Sequence, residues 1–185
     1  LGANNTSLRD LAVDCNSKTG DGIRSDLVNG VVLSNVAVKK ANSVGAYGIK
    51  YGQSSQNFFY NVLITDCYNS FYLGSASGAQ FCTVNGLNIV HDDPALAGIG
   101  LELYGITIAC FSNVSVSTGT GTAIKLTGPL TEVSFHGLYC EQVNVNTVPT
   151  IISDTTLGAI YGVNFYGGYI THSNVGNTQR FMDFD

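Results

Sequence analysis

Leu33-Ser34-Asn35-Val36-Ala37-Val38 and Phe59-Tyr60-Asn61-Val62-Leu63-Ile64 follow one pattern: an apolar residue, two residues ending in Asn, Asp or Gly, then apolar-x-apolar. Outward from this pair the pattern recurs in both directions. Upstream it reads Leu8-Arg9-Asp10-Leu11-Ala12-Val13, and downstream Val84-Asn85-Gly86-Leu87-Asn88-Ile89, Phe111-Ser112-Asn113-Val114-Ser115-Val116 and Phe135-His136-Gly137-Leu138-Tyr139-Cys140. A weaker seventh copy is Tyr166-Gly167-Gly168-Tyr169-Ile170-Thr171. The marker residues Leu11, Val36, Val62, Leu87, Val114, Leu138 and Tyr169 are spaced by 25, 26, 25, 27, 24 and 31 residues. A near-constant period over seven copies signals a stacked repeat architecture.

Between the copies lies a second short strand, usually announced by Gly-Ile or Ala-Ile. It reads Gly22-Ile23, Gly48-Ile49-Lys50-Tyr51, Phe71-Tyr72-Leu73, Ile99-Gly100-Leu101 and Ala123-Ile124-Lys125-Leu126, with Ile151-Ile152 and Phe181-Met182 closing the series. Each repeat therefore holds two or three short strands, separated by a two-residue bend and a variable loop. Asn, Asp and Gly suit the bend because they reach left-handed backbone conformations cheaply. Asn side chains stacked in successive coils can also hydrogen-bond along the column.

These features predict an all-β fold, a right-handed, single-stranded parallel β-helix of about seven coils with about 25 residues each. The inward column is Leu8, Leu33, Phe59, Val84, Phe111, Phe135 and Tyr166, joined by the two apolar positions after each bend. A leucine-rich repeat also tolerates this period. Its Asn/Cys position falls on Asn16, Ala41, Cys67, Asp92, Gly119, Val143 and Asn174, a poor match, and it explains neither the bend column nor the second strand. Residues 1–185 read as one domain. The opening at Leu1-Gly2, without a signal-peptide pattern, is expected to mark a piece of a longer chain.

Composition agrees. Charged residues are 11% of the chain against roughly 25% in an average soluble domain, and the 22 glycines far outnumber the 3 glutamates and 5 lysines. Good helix formers are scarce, which argues against a bundle or coiled coil. A net charge of −5 and no basic cluster beyond Lys39-Lys40 argue against nucleic-acid binding through phosphates. No apolar run approaches the roughly 20 residues of a membrane span. The five cysteines show neither a CxxC pair nor a metal-ligand spacing, so buried free thiols and no metal or cofactor are expected.

A parallel β-helix with an Asn-rich bend column resembles the pectin-lyase-like superfamily. The opening LGANNTSLRDLAVDC is similar to the β-helical domains of bacteriophage tailspikes and related polysaccharide-degrading proteins. The resemblance implies binding, and often cleavage, of a bacterial surface polysaccharide by a homotrimer on a virion. It supplies no catalytic motif. The Asn-Thr-Asp with downstream RxK of polygalacturonases is missing, as are the Arg-x-x-Pro context and clustered calcium carboxylates of pectate lyases.

Glycoside hydrolysis needs two carboxylates across the scissile bond, and a lyase needs a base with a cation to steady the sugar carboxylate. The outward positions of the second strands read Arg24, Lys50, Tyr72, Gly100, Lys125 and Ile152, and the loop His91-Asp92-Asp93-Pro94 enters that face just before Glu102. Lys40, Asp66 and His91 fall at one position in three successive coils. Asp92 or Asp93 is thus expected to pair with Glu102 as acid and base, with Asp66 in reserve. Tyr72 is expected to stack on a sugar, while Lys50, Lys125, His91 and Lys40 contact the substrate. A surface charge ladder is the plainer account of Lys40, Asp66 and His91. Glu141 and His172 fall in one column, and Cys140 points inward. The function expected is recognition and depolymerisation of a bacterial polysaccharide, hydrolysis ahead of β-elimination. The alternative is a non-catalytic structural or receptor-binding shaft of a phage fibre.

Overall fold

The computed structural model describes residues 5–26, 29–52, 55–93, 96–142, 150–172 and 182–183; Pro94 and Phe181 lie outside them. Every strand pairing among these residues is parallel. The bend-containing copies fall on β1 (Ser7–Asp14), β3 (Val32–Lys39), β5 (Ser55–Thr65), the second half of β6 (Asn69–Val90), β8 (Ala109–Thr118), the second half of β9 (Ile124–Gln142) and β11 (Ile160–His172). They stack in that order as seven rungs. The second strands form a parallel stack of their own: β2 (Ile23–Ser25), β4 (Tyr47–Tyr51), the start of β6, β7 (Leu101–Ile106), the start of β9, β10 (Ile151–Asp154) and β12 (Met182–Asp183). The chain is a β-solenoid of about six turns.

The bend column has the backbone its composition demands. Asp10, Asn35, Asn61, Gly86, Asn113, Gly137 and Gly167 all have positive φ, between 50° and 74°. Side chains run along it: Asn35 donates to Asp10 Oδ1 at 2.8 Å and Asn61 to Asn35 Oδ1 at 3.1 Å. Gly86 has no side chain to continue the ladder, and Asn113 donates instead to Asn85 Oδ1 at 3.0 Å. A second left-handed column lies five residues upstream of six of the seven bends, at Asn5, Gly30, Gln56, Phe81, Glu132 and Gly162; the bend at Asn113 lacks it. Its mixed residue types carry no signal in the sequence.

Leu33, Phe59, Val84, Phe111 and Phe135 are fully buried in one inward column. Burial of side chains this size stabilises by roughly 1.5–3 kcal/mol each. The rings of Phe111, Phe135 and Phe165 stack along the axis, 4.9 and 5.0 Å between centroids. Free Cys67, Cys82 and Cys140 are buried, and burial pushes their thiols up to about 11, 11 and 12.

Two registers differ from the sequence reading. In the last rung Phe165, not Tyr166, pairs with Phe135, and Gly168 rather than Tyr169 pairs with Leu138. The seventh copy is therefore Phe165-Tyr166-Gly167-Gly168-Tyr169-Ile170, one residue earlier. With a side-chain period of two, that step turns Tyr166 and Tyr169 outward and sets Thr171, not His172, opposite Glu141. In the fourth rung of the second stack, Leu101 takes the place given to Ile99, so Glu102 replaces Gly100 in the outward column. Gly100 is buried, and a Cβ there would lie 2.5 Å from Val116.

Candidate functional site

Strand pairing places Arg24, Lys50, Tyr72, Glu102, Lys125 and Ile152 in one outward stripe across six rungs. The alternation that buries Ile49, Phe71, Leu101 and Ile124 turns these residues to the outside. Glu102 is nevertheless only 8% exposed. Lys125 Nζ lies 3.3 Å from its Oε1, and the Tyr47 hydroxyl donates to Oε2 at 2.7 Å. Both contacts are donors, the arrangement that suits a carboxylate accepting with both oxygens.

Tyr47 was not among the residues expected from sequence. It belongs to a column two residues before the apolar strand position, where Asp21 and Asn69 occupy the neighbouring rungs. Asp21 Oδ1 accepts the Tyr47 backbone N–H at 2.9 Å, and Asn69 Oδ1 accepts that of Ile99 at 2.9 Å. The polar residues Asp21, Tyr47 and Asn69, each two positions before an apolar strand residue, were the available signal. The Tyr47 and Tyr72 rings meet edge to face at 5.5 Å, and Lys50 Nζ stands 5.0 and 5.6 Å from their centroids.

Burial raises both phenols above the ordinary tyrosine value. Tyr47 is raised further by its hydrogen bond to Glu102, and Tyr72 reaches about 12 with the Glu102 charge adding to burial. Both phenols are therefore protonated at neutral pH, and that of Tyr47 donates to Glu102.

No family model matches the chain, and a search of curated proteins finds no relative. Among the described residues no group of three or more His, Cys, Asp and Glu could hold a metal ion, and no helix is long and apolar enough to cross a membrane.

Lys40, Asp66 and His91 do sit at one step of successive coils, since Lys40 N–H donates to Thr65 O, Asp66 N–H to Val90 O and His91 N–H to Ser117 O. They do not form a common polar surface. Lys40 is exposed at a left-handed strand end. His91 is 5% exposed, with Nε2 2.7 Å from Ser70 Oγ. The imidazole of His91, expected from sequence to contact substrate, is buried beside Ser70, and burial lowers it to about 4. Asp66 Oδ1 accepts the backbone N–H groups of Asp92 and Asp93 at 2.9 and 3.3 Å. It holds the start of the loop in which the side chains of Asp92 and Asp93 are exposed.

Proposed function

We propose that this solenoid binds a bacterial surface polysaccharide along the stripe from Arg24 to Lys125 and depolymerises it by glycosidic hydrolysis, in the manner of a tailspike. The observation that carries the reading is the set Tyr47, Lys50, Tyr72, Glu102 and Lys125: two aromatic rings, two cations and a shielded carboxylate in adjacent rungs. Aromatic rings offer the apolar face of a sugar a surface, and the charged groups meet its polar edge. The spacing of rungs along the axis, roughly 4.8 Å, lets a linear polymer lie across several of them.

For hydrolysis Glu102 takes the base's part, and Asp92 or Asp93, on the loop held by Asp66, takes the acid's. The homotrimer and the virion setting rest on the resemblance alone. A second reading, the non-catalytic receptor-binding shaft, is favoured by the engagement of both Glu102 oxygens by protein donors. Reducing-end release from a panel of bacterial surface polysaccharides separates the two. Release lost in Glu102→Gln and in Asp92→Asn or Asp93→Asn supports the hydrolase. Binding without release supports the shaft.

A further inference from the structure

The cations of the stripe are not equally engaged. Arg24 Nε bonds Asp26 at 2.7 Å, and its Nη1 lies 3.7 Å from Asp21. Lys125 is paired with Glu102. Lys50 has no carboxylate within ion-pair distance among the described residues; what holds its ammonium is the two tyrosine rings. A cation over aromatic faces is oriented and partly desolvated but keeps its charge.

Lys50 also faces a cavity of about 440 Å³ lined by Thr19, Gly20, Asp21, Arg24 and the 43–46 turn. Its volume lies in the roughly 300–1,000 Å³ range of small-molecule sites. The acid on its wall, Asp21, is committed to the Tyr47 N–H and to Arg24. The cavity therefore offers a guest the Lys50 ammonium, held by two tyrosine rings that lie outside the cavity lining, a match for a single negative charge on a sugar-sized body.

We infer that Lys50, Tyr47 and Tyr72 form a subsite for a carboxylate-bearing sugar, a uronic acid residue of the polymer. This rests on the polysaccharide-binding reading above. The sugar carboxylate pairs with Lys50 Nζ, and its ring lies against Tyr72, beside the cavity. Lysine, a compact point charge, suits a monoanion on a flexible polymer, where a bidentate guanidinium would demand a fixed orientation.

The test is equilibrium binding of this chain to a panel of bacterial capsular polysaccharides, uronate-containing and neutral, with each uronate polymer also presented after carboxyl reduction. Wild type, Lys50→Gln, Lys50→Arg and Tyr72→Ala are compared, with far-UV circular dichroism confirming the β fold of each. The expected result is binding to a uronate polymer that falls about tenfold or more on carboxyl reduction, as loss of a charge-assisted contact should cause. Lys50→Gln should lose as much on the native polymer and nothing further on the reduced one, and Lys50→Arg should recover part. If Tyr72→Ala weakens binding while Lys50→Gln and carboxyl reduction do not, the uronate subsite is overturned and the polysaccharide reading stands. Binding confined to the neutral polymers overturns the subsite in the same way. Binding to none of the polymers overturns both.

Discussion

The Tyr47 hydroxyl reaches Glu102 Oε2 at 2.7 Å although 55 residues separate them in sequence. Tyr47 is on β4 and Glu102 on β7, two rungs apart in the second stack, so the phenol spans the rung that carries Tyr72. The bond ties the aromatic part of the stripe to its carboxylate. Tyr47→Phe keeps the ring and removes the donor, leaving a buried carboxylate oxygen short of a partner. The expected cost is about 1–3 kcal/mol in urea unfolding, with the circular dichroism spectrum unchanged. A midpoint equal to wild type would show that solvent replaces the bond.

Lys125→Met removes the other donor while keeping most of the side-chain bulk. Lys125 is partly exposed, so the loss is reduced by solvent screening and is expected at about 1–2 kcal/mol, below the penalty for breaking a fully buried pair. In the double variant Tyr47→Phe/Lys125→Met the losses should not add, because both act through one carboxylate. Strict additivity in the same unfolding assay would mean that the two contacts are independent.

The bend column makes a prediction about residue type rather than size. Asn61, at φ 50°, donates to Asn35. Asn61→Ala places a Cβ residue without a compensating side chain in the left-handed region and should cost about 1–2 kcal/mol. Asn61→Gly relieves the backbone and should cost less. At Phe81, with φ 58° and 52% exposure, the ranking reverses: Phe81→Asn should raise stability by about 1 kcal/mol. A thermal melt of each variant decides, and a lower midpoint for Phe81→Asn would show that its ring contributes more than its backbone costs.

His91 predicts the pH dependence. Burial lowers it from 6.5 to about 4 in the folded chain, against a smaller opposing pull from Asp66. Between those values the unfolded chain binds a proton that the folded chain refuses, so stability rises with pH. The contribution is complete above about pH 6.5 and is lost as the pH falls toward 4, by at most about 3 kcal/mol. His91→Gln should flatten the stability profile over that window while leaving the region above pH 7 with a constant offset. A slope that persists in the variant would assign the effect to other groups.

How much of this was legible in the sequence depends on whether a residue's neighbours are set by the repeat or by a loop. The bend residues Asp10, Asn35, Asn61, Gly86, Asn113 and Gly137 were readable because a left-handed corner admits few residue types. The inward positions were readable because every coil must bury them. The last coil misled because Tyr166-Gly167-Gly168-Tyr169 offers two glycines for one bend, and only pairing with Phe135 and Leu138 chooses Gly167. The upstream corner through Gln56, Phe81 and Glu132 was silent, since those residues bear the conformation without being selected for it.

The sequence by itself determined a parallel β-solenoid with its core column, its Asn-Gly corner and an outward stripe of Arg24, Lys50, Tyr72 and Lys125. Period-two alternation and a fixed coil length are local and repeat along the chain. Tertiary structure alone decided that Glu102 joins the stripe, that Tyr47 meets it, and that His91 turns into the core. The reason is physical: the loops between strands differ in length. The residue that ends beside another across the axis is therefore set by how each loop packs and where hydrogen bonding resumes, which only the stacked coils show.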